Sequence, residues 1–395
     1  MPISGAQRFP AGCVQGRICS RHSHNAARPN RNSRARHFTV ATNKAPVGPY
    51  RRVGRPAACF SIERTIDEVA RAAGRDPIEV RVENMIPATD MPFTSITGMR
   101  YDNGDYAACV RLCADMIDVA AIRARQQRGE HDGRLIGVGF GSFTEQTGHG
   151  SAEFASRGAS VIPGFESCTA RILTDGSLVL MVGVQSHGQG HETVLSQVAY
   201  HELGIDPARI SVKDGDTEST AFGFGTFASR SMVMAGGAVA RASRMLRDKL
   251  CMIGAHLLQC EPAEVCCADG LVIGPQGRSV TIAEIGKVAH LRMDQLPPGV
   301  DLLLDVTATY EPAVSTGVYS YATHGALVAV DAETAAIELL DFVVAEDCGT
   351  MINSTLVEGH IRGGVAQGIG SELVLDNQGR SRPPARARAE FRVRP

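Results

Sequence analysis

The chain has 395 residues, of which 44% are hydrophobic and 21% are charged, so disorder along its whole length is excluded. The formal net charge of −2 hides an uneven distribution. Residues 1–62 hold ten arginines, one lysine and no acidic residue, whereas residues 63–378 hold 23 basic and 41 acidic residues. The acidic body disfavours a nucleic-acid partner, because it repels phosphate. Apolar runs stay shorter than the roughly 18–20 residues of a membrane-spanning helix, so no membrane span is expected.

The hydrophobic period of the chain, read with its capping and turn residues, predicts helices and strands that alternate along the sequence. The predicted helices are 56–73, 77–85, 105–128, 192–203, 231–258 and 356–372. The predicted strands are 135–141, 169–174, 177–184, 210–213, 324–330 and 336–345, with Asp175-Gly176 as a hairpin turn. This order predicts an α+β fold in which β-hairpins are interleaved with helices, with a domain boundary near residues 150–166.

The two ends of the chain, residues 1–38 and 379–395, are rich in arginine and show no hydrophobic period. Three interpretations of them are open: nucleic-acid-binding arms, a transit peptide at the N-terminus, or translation of a shifted reading frame in a GC-rich gene. A secretory signal is not among them, because no apolar segment follows the first arginine.

The eleven cysteines are scattered, without a Cys-x-x-Cys pair or a Cys–His spacing typical of zinc or iron–sulfur sites. Scattered thiols in a chain of this size indicate a reducing compartment, and we expect the cytoplasm. Any iron–sulfur cluster that exchanges electrons with this protein is therefore expected on another polypeptide.

Two glycine-rich segments, Ser186–Glu192 and Gly223–Ser231, each lead into a predicted helix. Glycines before a helix expose backbone N–H groups that favour an anion, and the hydroxyls and arginine of the second segment suit a phosphate. Each segment alone is equally well explained as a glycine-rich turn with a capping serine. Together with the arginines of Arg51–Arg55, the two segments favour a phosphate-rich ligand.

These segments, with Val47–Pro56, Asp347–Gly349 and Gly363–Gly370, occur in the order found in one protein family. Over about residues 39–378 the chain resembles a truncated molybdopterin-binding large subunit of the xanthine dehydrogenase, aldehyde oxidase and aerobic carbon monoxide dehydrogenase family. The resemblance implies the molybdenum cofactor-binding domains of that family. It assigns 39–165 to the C-terminal part of the first domain and 166–378 to a truncated second domain.

The implied activity is hydroxylation of an aldehyde or an N-heterocycle with oxygen derived from water. The resemblance implies a molybdenum–molybdopterin cofactor and leaves open whether the pterin carries a cytosine dinucleotide. It places no iron–sulfur cluster or FAD on this chain and implies iron–sulfur and FAD partner subunits. Intact members of the family are expected to form dimers of heterotrimers and to act on a small-molecule substrate.

The resemblance also implies roles for individual residues. Arg51 is expected beside the substrate pocket, Gln189 at the molybdenum ligands or the pterin, and Gln367 at the pterin. No side chain is implied as a direct metal ligand. The implied cofactor-binding residues are Gly188, Gln189, Gly190, Thr226, Ala228, Ser229, Arg230, Ser231 and Gln367.

The chain also departs from the family pattern. The family's first pterin loop, upstream of the Arg51 motif, has no counterpart, and the general-base glutamate expected beyond residue 378 is absent. Tyr50–Arg55 lacks the cysteine of true carbon monoxide dehydrogenases, which argues against carbon monoxide as the substrate. We therefore expect this chain alone to be inactive and favour the shifted-frame interpretation of both ends. The alternative function is a non-catalytic remnant that binds molybdopterin weakly or not at all.

Overall fold

The computed structural model describes residues 43, 51, 54–96, 98–156, 158–159, 161–300, 303–314, 317–373 and 391–394. The predicted N-terminal segment 1–38 and residues 379–390 of the C-terminal segment lie outside the described residues.

The described residues form nine α-helices and thirteen strands. The helices are α1 (Arg55–Ala72), α2 (Pro77–Glu83), α3 (Tyr106–Ile117), α4 (Val119–Arg128), α5 (Ser151–Ser156), α6 (His191–Leu203), α7 (Ser231–Leu258), α8 (Ile282–Leu291) and α9 (Ser354–Leu373). The strands are β1 (Phe93–Thr94), β2 (Arg100–Tyr101), β3 (Leu135–Thr147), β4 (Glu166–Ile172), β5 (Leu178–Val182), β6 (Ile210–Lys213), β7 (Cys266–Ala268), β8 (Leu271–Ile273), β9 (Ser279–Thr281), β10 (Asp305–Tyr310), β11 (Val318–Val330), β12 (Ile337–Asp347) and β13 (Phe391–Arg394).

The chain folds into two compact units. Among the described residues, unit 1 takes those up to 146, those within 318–351 and those from 357 onward, and unit 2 takes those within 147–317 and 352–356. The sequence predicts a boundary near 150–166, and the first crossing lies just before that range. The return of the chain to unit 1 at residue 318 was not predicted, because it depends on long-range pairing of β11 and β12 in one sheet with β3.

Unit 1 is built on a sheet with the strand order β13-β12-β11-β3. Along β12, successive side chains point to opposite faces of the sheet, as in any β-strand. Val343 and Ala345 pack with residues of α3, whereas Val344 packs with Ile361 and Val365 of α9. Residues 391–394, predicted to lie outside the family-like part of the chain, pair in parallel with β12.

The helices of unit 1 follow their predicted capping signals, with one exception. α2 begins after Asp76, whose carboxylate accepts the N–H of Ile78 at 2.7 Å. The single helix predicted over 105–128 is instead two helices, because Asp118 adopts a left-handed conformation (φ 57°) between them. Its carboxylate also accepts the N–H of Ala121 at 3.1 Å, which starts α4 while α3 ends.

Unit 2 is built on a sheet with the strand order β10-β4-β5-β6. The predicted hairpin of β4 and β5 is confirmed, with Gly176 in the left-handed conformation that its turn requires (φ 80°). β5 and β6 run parallel and are connected through α6. α7 packs closely on this sheet, because a Cβ added at Gly237 would lie 2.2 Å from the ring of Tyr310.

The elements that the sequence did not predict are mostly short. β7, β8 and β9 form a three-stranded antiparallel sheet of three residues each, too short to show a hydrophobic period. α8 was also missed, although its first turn carries a capping box between Thr281 and Glu284. Among the described helices, none combines the length and the apolarity that a bilayer crossing requires.

Candidate functional site

The two glycine-rich segments lie at one edge of the sheet in unit 2. Loop A (residues 183–190) follows β5, and loop B (residues 214–230) follows β6. Because β5 and β6 are parallel neighbours, with Met181 opposite Lys213, both loops leave the same edge of the sheet. The carboxyl ends of parallel strands are the usual position of ligand sites in such sheets. Loop A leads into α6 and loop B into α7, so each loop ends at a helix N-terminus.

Hydrogen bonds join the two loops to each other. The Thr226 hydroxyl donates to the carbonyl oxygen of Gln185 at 2.6 Å and accepts the N–H of Gln185 at 2.9 Å. Asp214 accepts the N–H of Ser186 at 2.8 Å. The hydroxyl of Ser231, at the start of α7, lies 3.2 Å from that of Thr226. The hydroxyls of Thr226 and Ser231 thus bind protein groups and fix the loops as one platform.

Arg230 is buried and does not face a ligand. Its side chain is 1% exposed and forms an ion pair with Glu166, which is fully buried. The guanidinium also donates to the carbonyl oxygens of Gly225 at 2.8 Å and Phe165 at 2.9 Å. The same Glu166 accepts the N–H of Phe224 at 3.0 Å. The direct role at a phosphate that the resemblance implied for Arg230 therefore does not fit this geometry, because the charge is neutralised inside the protein.

A close approach of two glycines makes room for Glu166. A Cβ added at Gly183 would lie 2.3 Å from the Cα of Gly223, and one added at Gly223 would lie 2.2 Å from the Cα of Gly183. Either Cβ would also lie within 2.6 Å of the Glu166 carboxylate. Larger residues at these two positions would therefore separate loop A from loop B and displace the carboxylate.

Other glycines of the loops border open space. Gly188 (φ +89°) and Gly225 (φ +92°) are left-handed, and a Cβ added at either would meet no atom within 4 Å. Ala228 (φ 50°) and Ser229 (φ 54°) are exposed and also left-handed, a conformation that costs roughly 1–2 kcal/mol per residue. This strained pair turns the backbone into the first turn of α7, whose leading N–H groups lack acceptors within the helix.

Gly190 and Gln189 complete loop A. Gly190 (φ +84°) precedes α6, and a Cβ there would lie 2.7 Å from the side chain of Leu356. Gln189 is half-buried, and its Oε1 accepts the backbone N–H of His187 within the loop. The oxygen of this amide thus stabilises the loop, while its NH₂ group supplies donors.

Arg51 and Gln367 lie together in unit 1, and the other predicted site residues lie in unit 2. Arg51 Nη1 donates to Gln367 Oε1 at 3.1 Å, and the guanidinium lies beside Gly364 of α9. Asp347 accepts the N–H of Gly349 at 2.8 Å and the hydroxyl of Tyr321 at 3.0 Å. Its carboxylate therefore stabilises the turn that follows β12.

Glu166 is the functional residue that the sequence analysis missed, although its position carried a signal. Along β4 the residues Glu166, Cys168, Ala170 and Ile172 share one face, and all four are fully buried. Burying a charged carboxylate among apolar side chains is costly unless a cation pairs with it, so Glu166 on this face of β4 indicates a buried cation. In the part of the chain that the structure describes, no three His, Cys, Asp or Glu side chains are grouped to hold a metal ion.

Comparisons with known proteins identify the family. Residues 112–382 match the family model described as "Molybdopterin cofactor-binding domain", and residues 17–85 match a second model with the same description. The second match includes residues 17–38, which the sequence analysis placed outside the resemblance. The chain is 33% identical to the nicotine 6-hydroxylase large subunit of Paenarthrobacter nicotinovorans over 346 residues, 86% of this chain and 42% of the relative.

The chain is also 33% identical to the carbon monoxide dehydrogenase large chain of Hydrogenophaga pseudoflava, over 94% of this chain and 46% of the relative. The crystal structure of quinoline 2-oxidoreductase from Pseudomonas putida 86 superposes with a TM-score of 0.80 at 34% identity, over 89% of this chain and 46% of that one. The chain thus spans less than half the length of these relatives. It belongs to the molybdopterin-binding subunit family of xanthine dehydrogenase, aldehyde oxidase and aerobic carbon monoxide dehydrogenase.

Proposed function

We propose that unit 2 binds the molybdenum–molybdopterin cofactor over loops A and B. The observation that carries this proposal is the open space beside Gly188 and Gly225, here called the cradle, where a Cβ added at either glycine would meet no atom within 4 Å. The donors around the cradle suit a pterin with its phosphate: backbone N–H groups, the exposed Ser229 hydroxyl and the first turn of α7. The residues present therefore fit the cofactor, with a terminal phosphate or a cytosine dinucleotide.

Individual residues have different roles in this proposal. Gly188 and Gly225 let the backbone approach the ligand, and the NH₂ group of Gln189 donates a hydrogen bond to it. Ser229 and the backbone of Ala228 bind the phosphate. Thr226, Arg230, Ser231 and Gly190 hold the two loops in place instead of contacting the ligand. Arg51 and Gln367 form a hydrogen-bonded pair within unit 1.

We further propose that the protein functions in hydroxylating an N-heterocycle or an aldehyde with oxygen from water, the chemistry that the bound cofactor supplies. Two of the similar proteins are named for reactions of nicotine and quinoline, both N-heterocycles. Relatives are also named as a large subunit, a large chain and a complex subunit, which supports iron–sulfur and FAD partner subunits.

Cofactor loading of the full chain tests this proposal. The unaltered chain should copurify with molybdenum, measured by mass spectrometry, and with a pterin that fluoresces after oxidation. Thr226→Val keeps the side-chain shape and removes both hydrogen bonds to Gln185. At about 1 kcal/mol each, their loss should weaken loading roughly 10–30-fold, because every 1.4 kcal/mol corresponds to tenfold.

Thr169→Val is the matched control. Its hydroxyl lies 2.7 Å from that of Thr307 in an exposed side-chain contact between β4 and β10 of the same unit, and neither residue belongs to loop A or loop B. Loading should be unchanged in this variant and retained in Thr226→Ser. An unaltered chain without molybdenum and pterin would refute the proposal and favour the non-catalytic remnant. Full loading of Thr226→Val would refute the assignment of the loops.

A further inference from the structure

A pair of thiols lies at the far end of α7 from the loops. Four of the eleven cysteines fall within residues 251–267. Cys251, on α7, and Cys267, on β7, place their sulfur atoms 3.7 Å apart, at hydrogen-bonding distance. Both side chains are half-buried, so small molecules reach them more easily than the fully buried Cys168. Cys251 lies 20 residues after the start of α7, about 30 Å along the helix axis. The pair is therefore separate from the candidate cofactor site.

The surroundings of the pair make its two thiols unequal. The hydrogen bond from Cys267 and the nearby guanidinium of Arg247 lower the pKa of Cys251 to about 7, against burial and Asp248, which act in the opposite direction. The pKa of Cys267 is raised, because this thiol is the donor of that hydrogen bond and is buried beside it. Cys251 is therefore the thiol of the pair that ionises near neutral pH, and Cys267 is its protonated partner.

We propose that Cys251 and Cys267 form a redox modification site that a small disulfide of the glutathione class oxidises. The Cys251 thiolate attacks one sulfur of the reagent, forms a mixed disulfide and releases one thiolate. Cys267 then loses its proton and attacks the Cys251 sulfur, which releases the second thiolate. The protein loses two electrons and two protons, and the reagent is reduced to two thiols.

The geometry requires only a small movement for the second step. The sulfur atoms must approach from 3.7 Å to about 2.05 Å, which small side-chain rotations and shifts of the β7 edge supply. The resulting bond would join α7 to the three-stranded sheet of β7, β8 and β9. Cys266 is exposed next to Cys267 but lies on the opposite face of β7, as neighbouring strand residues do. Cys266 therefore provides a matched control: a thiol that is exposed but does not lie on the face of β7 that approaches Cys251.

Oxidation of the full chain tests the proposal. The protein is incubated with oxidised glutathione, the remaining thiols are alkylated, and tryptic peptides are analysed by mass spectrometry without reduction. The expected product is a peptide pair linked through Cys251 and Cys267, and dithiothreitol should reverse it. Cys266→Ser should form the same link. Cys267→Ser removes the second step and should accumulate glutathione on Cys251.

Two results would overturn the proposal. One is recovery of Cys251 and Cys267 as alkylated thiols after full oxidation of Cys266. The other is a link that pairs either thiol with Cys260 or Cys266 instead. The serine variants keep the size and hydrogen-bonding capacity of cysteine, and circular dichroism of each variant verifies folding. Because the readout is a covalent mass, it does not depend on cofactor loading.

Discussion

Replacing Glu166 with glutamine tests how loop B is held in its platform. The change keeps the size of the side chain and removes its charge. Arg230 would then remain buried without its anion, while its hydrogen bonds to the carbonyl oxygens of Gly225 and Phe165 stay possible. Breaking a buried ion pair by removing one partner costs about 3–5 kcal/mol.

The structure indicates where this cost appears. Glu166 lies on β4, and both groups that it binds, the Phe224 N–H and Arg230, belong to loop B. The free-energy cost is lowest if loop B opens, because the guanidinium of Arg230 then reaches water. At 1.4 kcal/mol per factor of ten, the open population of loop B should rise roughly 10²–10⁴-fold.

Hydrogen–deuterium exchange followed by mass spectrometry measures this opening directly. In Glu166→Gln, peptides covering residues 222–231 should lose protection, while those covering the hairpin turn at Asp175-Gly176 should change little. Glu63→Gln is a suitable control, because Glu63 pairs with the buried Arg81 in unit 1 at 2.8 Å. Unchanged exchange of loop B in Glu166→Gln would show that neutral hydrogen-bond acceptors hold Arg230 without an anion, and the reasoning would fail.

Further measurements test the packing of α7 and the protonation of the thiols. Gly237→Ala should lower the free energy of unfolding by about 1–3 kcal/mol in chemical denaturation, because its Cβ meets the ring of Tyr310. Gly236→Ala meets only the flexible end of a methionine and should be neutral or stabilising. Alkylation of Cys251 should reach half its maximal rate near pH 7, since the thiolate forms as pH rises through its lowered pKa of about 7. Cys168, whose pKa burial raises to about 12, should stay unreactive at neutral pH, and equal rates for both thiols would contradict this.

The local elements of unit 2 were predictable because each carries its own signal. Ser231–Leu258 and Ile210–Lys213 match the predicted ranges, and α6 begins one residue before its predicted start. Long helices repeat their apolar residues over several turns, and the Asp175-Gly176 turn specifies a hairpin chemically. The break at Asp118 was not predictable in the same way, because a left-handed aspartate leaves the apolar period of the two helices nearly continuous.

The candidate site was predictable only in part. The glycine-rich segments were identified as ligand loops, but the role of Arg230 depends on its pairing with Glu166, 64 residues away. Nothing near Arg230 in the sequence distinguishes a buried arginine from one that binds phosphate. The meeting of the two loops likewise follows from the parallel pairing of β5 and β6, a long-range property. A carboxylate in the inward row of β4 is the one local signal that points to this arrangement.

Glycine serves two opposite purposes at this site, and the distinction bears on how the family motif should be interpreted. Gly183 and Gly223 are small because backbone and a carboxylate fill the space that a side chain would take. Gly188 and Gly225 are small although nothing in the protein fills that space. Substitution at the first pair should therefore destabilise the platform with or without a ligand. Substitution at the second pair adds the strain of a left-handed backbone and occupies the cradle itself, so its effect on ligand binding should exceed its effect on folding. This difference separates residues that build the platform from residues that leave room for the ligand.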